Sequence, residues 1–369
     1  MKRLIPVSLF VLMAILLRPA AAADVRYPIH FPDLPGYTTL KCDFHIHTVF
    51  SDGQVWPTVR VREAWRQGLD GIAITDHIEY SPHKKDVSRD LNRVHDLAAG
   101  LAKQLNLLLI RGGEITKDTP PGHFNTIFVK DMTPLNDPDI VKQARLADEQ
   151  GGFMFWNHPL IWGGKWTDVH DTLYKNQWLR GVEVCNGPTD THYLTTFGLG
   201  LEKNLTLLGN SDMHVPDLRT RNTADDHRTM TLVFARQRTV EGVHEALLER
   251  RTLVWFHNEI LGRTEWLAPL FERSIRVSKP THRAKGKLWI DIENLSEANM
   301  VLRRAGNVGP TNLTLPARSV SNVEIRFDPK KPAPTELPYT VTNFLVAPDK
   351  GLSVTLNIPA EVESTKREE

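Results

Sequence analysis

Short apolar runs recur along the first two thirds of the chain, and most close on a polar residue. They cover 40–47, 71–77, 107–115, 152–157, 181–186, 205–210 and 230–235. Several are nearly all apolar until that polar end. This is the pattern of strands covered on both faces of a parallel sheet. Amphipathic helix patterns fill the gaps. Pro57 opens one and Gly68 closes it. A second spans about 86–105, with Val87, Leu91, Val94, Ala98, Leu101 and Leu105 at helical spacing. A third starts near Pro138 and stops at Gly151, and a fourth runs over 240–250. Strand-helix alternation with about seven strands predicts an α/β barrel.

The pattern changes after Phe256. Residues 259–278 read as one bridging helix, with Leu261, Leu267, Leu270 and Phe271 apolar. From Lys287 onward Leu288, Ile290 and Ile292 alternate with Lys287, Asp291 and Glu293. Further short strands recur around Val301, Leu313, Val323 and Val354, punctuated by Pro and Asn. A small antiparallel β-sandwich follows from this. The expected division is a leader at 1–23, a barrel at 24–256, a bridging helix and linker at 257–285, and the sandwich at 286–369.

The leader is predicted from charge and length. Lys2 and Arg3 precede an apolar stretch at 4–17, then Arg18, Pro19 and four alanines at 20–23. This is the order of a signal peptide, and the stretch is short for a membrane span. The expectation is cleavage before Asp24, a periplasmic or secreted protein, and no membrane span afterwards.

Hydrophobic residues make up 41% and charged residues 24% of the 369, which excludes disorder and coiled coil. Without the leader's three cations, 42 basic residues face 44 acidic ones, a balance of −2. That gives no strong case for nucleic acid as partner. Two cysteines exclude a disulfide scaffold. Strand parity places Cys42 away from His45 and His47, and Cys185 on the face of Glu183. The two are therefore expected to be free thiols.

The polar strand ends carry the chemistry. His45-Ile46-His47 puts two imidazoles on one strand face, with Asp52 close behind. Asp76-His77, Gly113-Glu114, His123, Asn157-His158 and Asp212-Met213-His214 follow at successive strand ends. A lone buried histidine is more often a satisfied core group, and a lone strand-end aspartate a helix cap. So many at one barrel end form a different pattern. Barrel enzymes place their sites at that end, and mixed His/carboxylate sets suit zinc, manganese or iron.

As a set these motifs resemble the PHP (polymerase and histidinol phosphatase) domain phosphoesterases. The resemblance covers residues 41–256 and implies a distorted (β/α)7 barrel. The stretches 78–80, 120–125 and 227–231 look like a secreted bacterial branch with an extra C-terminal β domain. That branch includes phosphodiesterases acting on small organophosphate diesters. Carried over, the family ligands give three neighbouring sites. His45, His47, Glu114 and Asp212 hold the first ion. Glu114 bridges to a second, completed by His123 and His158. Asp52, His77 and His214 hold the third. The resemblance thus implies two or three divalent ions (Mn, Zn or Fe) and a small phosphoester substrate, attacked at phosphorus by a metal-bridging hydroxide.

Other roles are expectations of lower specificity. Arg228 and Lys117, and more weakly Lys165, are candidates to hold a phosphoryl oxygen. His77, His214 or a metal-bound water is a candidate to protonate the leaving group. Glu183 and Asn186 are read as supporting or substrate-facing groups. Tyr80, Trp156, Trp162 and Trp166 are candidate pocket walls. The alternatives are a 5′-end nuclease of the same family, or a non-catalytic metal- or glycan-binding envelope protein.

Overall fold

A computed structural model describes residues 25–360. The leader and the end of the C-terminal tail lie outside the described residues. The barrel part runs β1 (Thr38–Asp43), α1 (Pro57–Arg66), β2 (Gly71–Ile74), α2 (Arg93–Gln104), β3 (Leu108–Ile115) and β4 (Phe124–Ile127). It continues α3 (Ile140–Glu149), β5 (Phe153–Trp156), α4 (Asp168–Lys175), β6 (Leu179–Asn186), α5 (Tyr193–Glu202) and β7 (Thr206–Asn210). Then come β8 (Met230–Ala235), α6 (Val240–Leu248) and β9 (Thr252–Phe256). All seven apolar runs are strands. β2, β5 and β8 are buried at every position, as near-continuous apolarity requires.

The helices follow their punctuation, with one exception. Pro57 occupies the first turn of α1, and Gly68 follows its end at φ +88°. A side chain there would meet the Tyr27 carbonyl. The Asp139 carboxylate caps α3 by accepting from the Val141 N–H. The second helix starts at Arg93, not near Asp86. Ser88 Oγ accepts the Asp90 N–H and Asp90 accepts the Asn92 N–H, and these local bonds compete with a helix over 86–92.

The distortion of the barrel comes from two antiparallel strands. β1–β2–β3 and β5–β6–β7 are parallel sets. β4 is inserted antiparallel between β3 and β5, and β8 runs antiparallel to β1. β7 and β8 meet without a backbone ladder. The Thr231 hydroxyl instead accepts from the Gly209 N–H and donates to the Gly209 carbonyl. Gly209 is needed there, because a Cβ would press on Val254.

The predicted bridging helix is a correction. Residues 259–278 divide into β10 (Glu259–Gly262), α7 (Thr264–Ser274) and β11 (Ile275–Val277). β10 folds back on β9 in a hairpin, which removes its residues from any helix. The rest is β12 (His282–Ala284), β13 (Lys287–Asn294), β14 (Met300–Arg304), β15 (Asn312–Leu315), β16 (Val320–Arg326), β17 (Glu336–Ala347) and β18 (Lys350–Asn357). β11, β12 and β16 pair with β13 in one antiparallel sheet. β14, β15, β17 and β18 form the other. Leu288, Ile290 and Ile292 face Leu302, Leu315 and Val341 across the sandwich core.

β17 also pairs parallel with β10, matching Phe344 to Ile260 and Leu345 to Leu261. The sandwich and the barrel therefore share one sheet and one apolar cluster, running from Ile72 and Trp255 to Phe344 and Val341. Phe344 is buried and meets the edge of Phe271 at 6.3 Å between centroids. Phe344→Ala is expected to cost about 3–5 kcal/mol, with both parts unfolding in one calorimetric transition. Two resolved transitions in the wild-type scan would show that the shared sheet does not couple them. Among the described residues no helix is long and apolar enough to cross a membrane.

Candidate metal centre

The polar strand ends converge on one end of the barrel. His45 and His47 follow β1, His77 follows β2, and Glu114 sits in the last turn of β3. His158 follows β5, while Asp212 and His214 follow β7. His123 precedes β4 rather than ending it. Because β4 is antiparallel, its start lies at the same face. His158 and Asp212 adopt left-handed backbone at φ +30° and +49°, a conformation that needs support in residues other than glycine.

All nine predicted ligands fall into groups whose donor atoms lie within 4.8 Å of one another. His45 Nε2 lies 3.1 Å from Asp212 Oδ1 and 3.5 Å from Glu114 Oε2. His47 Nε2 lies 3.0 and 3.4 Å from the same two oxygens. Ligand atoms around a tetrahedral ion with bonds of about 2.1 Å stand about 3.4 Å apart. Glu114 Oε1 turns to His123 Nδ1 at 2.9 Å and His158 Nε2 at 3.6 Å. Asp52 Oδ1 faces His214 Nε2 at 3.2 Å and His77 Nε2 at 3.5 Å.

The decisive feature is what these atoms lack. His45 Nε2, His47 Nε2, Asp52 Oδ1, Glu114 Oε2 and Asp212 Oδ1 are buried and make no hydrogen bond. Orphaned donors and acceptors in a fold are costly unless something binds them. Four of them, His45 Nε2, His47 Nε2, Glu114 Oε2 and Asp212 Oδ1, face one another, Asp52 Oδ1 faces His77 and His214, and their types are those that divalent ions take. The residues fit the metal that the motif pattern implies.

The ring tautomers agree. His45 Nδ1–H donates to Glu183 Oε1 at 2.9 Å, and His214 Nδ1–H donates to the Asp212 carbonyl at 2.8 Å. His77 Nδ1 meets Thr116 Oγ1 at 2.6 Å. Each contact leaves Nε2 free for the cluster. Charge couples the groups. Burial pushes His77 down, but Glu114 and Asp52 outweigh it and lift the imidazole to about 10. Burial also raises Glu114, yet His77 and His45 hold it well below the usual carboxylate range. Protons here hold the places that cations take.

Beneath the ligands lies a frame of buried charge that sequence reading missed. Asp76 accepts from Thr48 N–H, Thr48 Oγ1 and Ser51 Oγ, each at 2.6 Å, and so fixes the turn carrying Asp52. Asp43 accepts from the Ser211 N–H and hydroxyl beside Asp212. Arg60 donates to the His47, Met213 and Val215 carbonyls. Asn157 donates to Glu114 Oε1 at 2.9 Å. The available signal was polar residues inside or just past apolar strands.

Several expectations are corrected. Arg228 is not a phosphate clamp. Its side chain is 0% exposed and pairs with Asp43 at 3.3 Å and Asp217 at 3.1 Å. Its guanidinium is therefore engaged by two buried carboxylates rather than open to a substrate phosphate. Lys117 is tied to Glu79 at 2.8 Å and to the Asp137 and Pro138 carbonyls, so its ammonium is engaged away from a phosphate. Trp156 is buried in the core against His170 and Trp166, and Trp166 donates to Asp171. Trp156 is therefore a core residue. Lys165 is exposed on the loop before α4. The side chain of Trp162 lies outside the described residues. Tyr80 is half exposed, with its ring 5.9 Å from that of His77. Cys42 and Cys185 are free and buried. A bulge between Glu183 and Cys185 breaks the parity predicted for that strand.

Solved structures place this geometry. A two-domain protein from Bacteroides vulgatus, described as containing a PHP-like metal-dependent phosphoesterase, is 43% identical. The match covers 90% of this chain and 98% of that one, with a TM-score of 0.83. The chain belongs to the PHP-like metal-dependent phosphoesterases. A family model described as an Ig-like domain matches residues 275–357 of this phosphoesterase, which is its sandwich. An uncharacterized protein of Methanocaldococcus jannaschii is 44% identical over 50 residues. That match spans 14% of this chain and 23% of the curated relative's length. A lesion-specific endonuclease from Pyrococcus furiosus is 14% identical over 61% of this chain and 59% of its own, at a TM-score of 0.40. That overlap is too loose to bear on substrate.

One histidine of the phosphoesterase is kept neutral. His170 Nδ1 accepts the Thr167 N–H while the ring packs on Trp156 at 4.1 Å, and burial holds it down to about 4. Below the ordinary value of about 6.5 the unfolded chain gains a proton that the fold refuses. Stability from this group is therefore full above pH 6.5 and falls as pH drops toward 4. About 2 kcal/mol is expected to be lost between pH 7 and pH 5. Urea titrations of wild type and His170→Gln check it. Equal pH slopes would remove His170 from the account.

Proposed function

We propose that this phosphoesterase is exported and hydrolyses small phosphodiesters, organophosphate diesters among them, or phosphomonoesters. The observation that carries the reading is the set of five orphaned buried atoms converging between strand ends. His45, His47, Glu114 and Asp212 would hold one ion, with Glu114, His123 and His158 holding a second. Asp52, His77 and His214 would hold a third. Manganese, zinc and iron all suit these donors. Bound divalent ions supply an acidified water as nucleophile and neutralise charge on the phosphoryl oxygens.

The chain's own groups do the rest. His45, His47 and Glu114 are buried, so substrate enters over Asp52 and His214, whose side chains are 28% and 33% exposed. Tyr80 offers an apolar wall beside His77 for the ester group. With two ions bound, Asp52, His77 and His214 stay available for proton transfer. Asp52 Oδ1, 3.2 Å from His214 Nε2 and 3.5 Å from His77 Nε2, then favours the protonated imidazole, and either histidine is a candidate acid for the leaving oxygen. With three bound, those residues are ligands. Export is supported by the charged, apolar and small-residue order of the leader.

Metal-reconstituted protein assayed against phosphomonoesters, diesters, triesters and oligonucleotides tests the reading. Elemental analysis is expected to give two or three ions per chain, with turnover on small esters. Preference for oligonucleotides would favour the 5′-end nuclease. Metal content with no turnover would favour a binding protein.

A further inference from the structure

Glu183 is absent from all three sets of ligands, yet it is a fully buried carboxylate near the end of β6. Four donors converge on it. His45 Nδ1–H and Asn210 Nδ2–H reach Oε1, each at 2.9 Å. The His158 N–H reaches Oε2 at 2.8 Å, and Asn186 Nδ2–H at 2.9 Å. The bulge after Glu183 makes this possible, because it brings Asn186 onto the same face three residues on.

Each bond supports a different ligand. The first sets the His45 proton on Nδ1 and aims Nε2 at Glu114 and Asp212. The bond from His158 holds that residue's backbone at φ +30°. Asn186 carries the support further, since its amide also donates to Asp212 Oδ2 at 3.1 Å, and Asp212 sits at φ +49°. Asn210 closes the frame by accepting the Phe44 N–H at 2.9 Å, next to His45. Asp52, His77 and His214 have no hydrogen bond to Glu183 among the described residues.

We propose that Glu183 is the positioning residue that preforms the His45–His158–Asp212 side of the metal centre and leaves the Asp52–His77–His214 position independent. The inference rests on the metal-binding part of the proposed function. A glutamine cannot replace it. Its single carbonyl oxygen serves at most two of the four donors, and its amide N–H groups would face the other two. Aspartate keeps the charge but is too short to reach strands β1, β5 and β7 together.

Calorimetric titration of metal-stripped protein with Mn²⁺, and separately Zn²⁺, tests this on wild type, Glu183→Gln and His214→Ala. His214→Ala identifies the phase belonging to the Asp52 position. Glu183→Gln is expected to weaken the remaining phases 10–100-fold and to leave the Asp52 phase within threefold. Co²⁺ loading is expected to lose the visible bands of the positions served by His45, His158 and Asp212 and to keep those of the Asp52 position. A purely structural role would lower the melting temperature without choosing between positions. Should Glu183→Gln fail to fold, Glu183→Asp is expected to give the same selective weakening. Equal weakening of every phase, or none beyond threefold, overturns the proposal. A wild type that takes up metal but hydrolyses no ester defeats the functional reading while leaving this one standing. A wild type that takes up no metal defeats both.

Discussion

Glu114→Gln is expected to lower kcat by at least about 10³-fold, with the far-ultraviolet dichroism of the metal-free protein unchanged. Glu114 faces imidazoles from both of its oxygens. Oε2 faces His45, His47 and His77, while Oε1 faces His123 and His158. The amide keeps the shape and removes the charge. An anion is then missing at the point where two cation positions meet, and five imidazoles lose their common partner. His158→Ala is expected to act in the same direction through one position only, so its metal content should fall less. Steady-state kinetics on a chromogenic ester, with elemental analysis of the same samples, decide it. A Glu114→Gln enzyme that keeps most of the wild-type kcat would show that the shared carboxylate does not organise the reaction.

The second large effect is on stability. Arg228→Ala is expected to cost about 3–5 kcal/mol, because it strands Asp43 and Asp217 without their buried cation. Asp43 is already raised by burial against the pull of Arg228, so losing the guanidinium drives it further toward the neutral acid. Ser211 and the His45 N–H hang on that carboxylate, and any fall in turnover should follow the fold rather than precede it. The double variant Arg228→Met with Asp43→Asn is expected to be more stable than Arg228→Met alone, since it removes a charge left unpaired. Denaturant titrations of the four proteins close the cycle. An Arg228→Ala protein within about 1 kcal/mol of wild type but with a large rise in KM would return the arginine to the substrate.

The sequence by itself determined the strands and the polar groups at their ends. Seven near-continuous apolar runs can be satisfied only by burial on both faces. Polar residues at their ends cannot be buried without partners, so they must gather where the strands end. His45, His47, Asp52, His77, Glu114, His123, His158, Asp212 and His214 were legible as candidates for that reason, and their grouping into metal sets only through the resemblance to the PHP phosphoesterases. The sandwich was legible too, because its alternation has a period of two over Lys287–Asn294.

Tertiary structure decided the rest. Arg228 looked like a phosphate ligand from its place in a site loop. Only the approach of Asp43, 185 positions away, together with Asp217 of the preceding loop shows that it is sealed. The run at 259–261 had the apolar content of a helix, but β9 offered it a hairpin partner, and contact between strands outweighs local propensity. Glu183 and Asn186 should face opposite ways by strand parity. A bulge, which no spacing in the chain announces, brings both onto the donors around the metal centre. Residue type and order fix which groups need partners. Which partner each one meets depends on contacts between segments far apart in the chain, such as His45 with Glu183 and Asp43 with Arg228, and only the folded chain sets those.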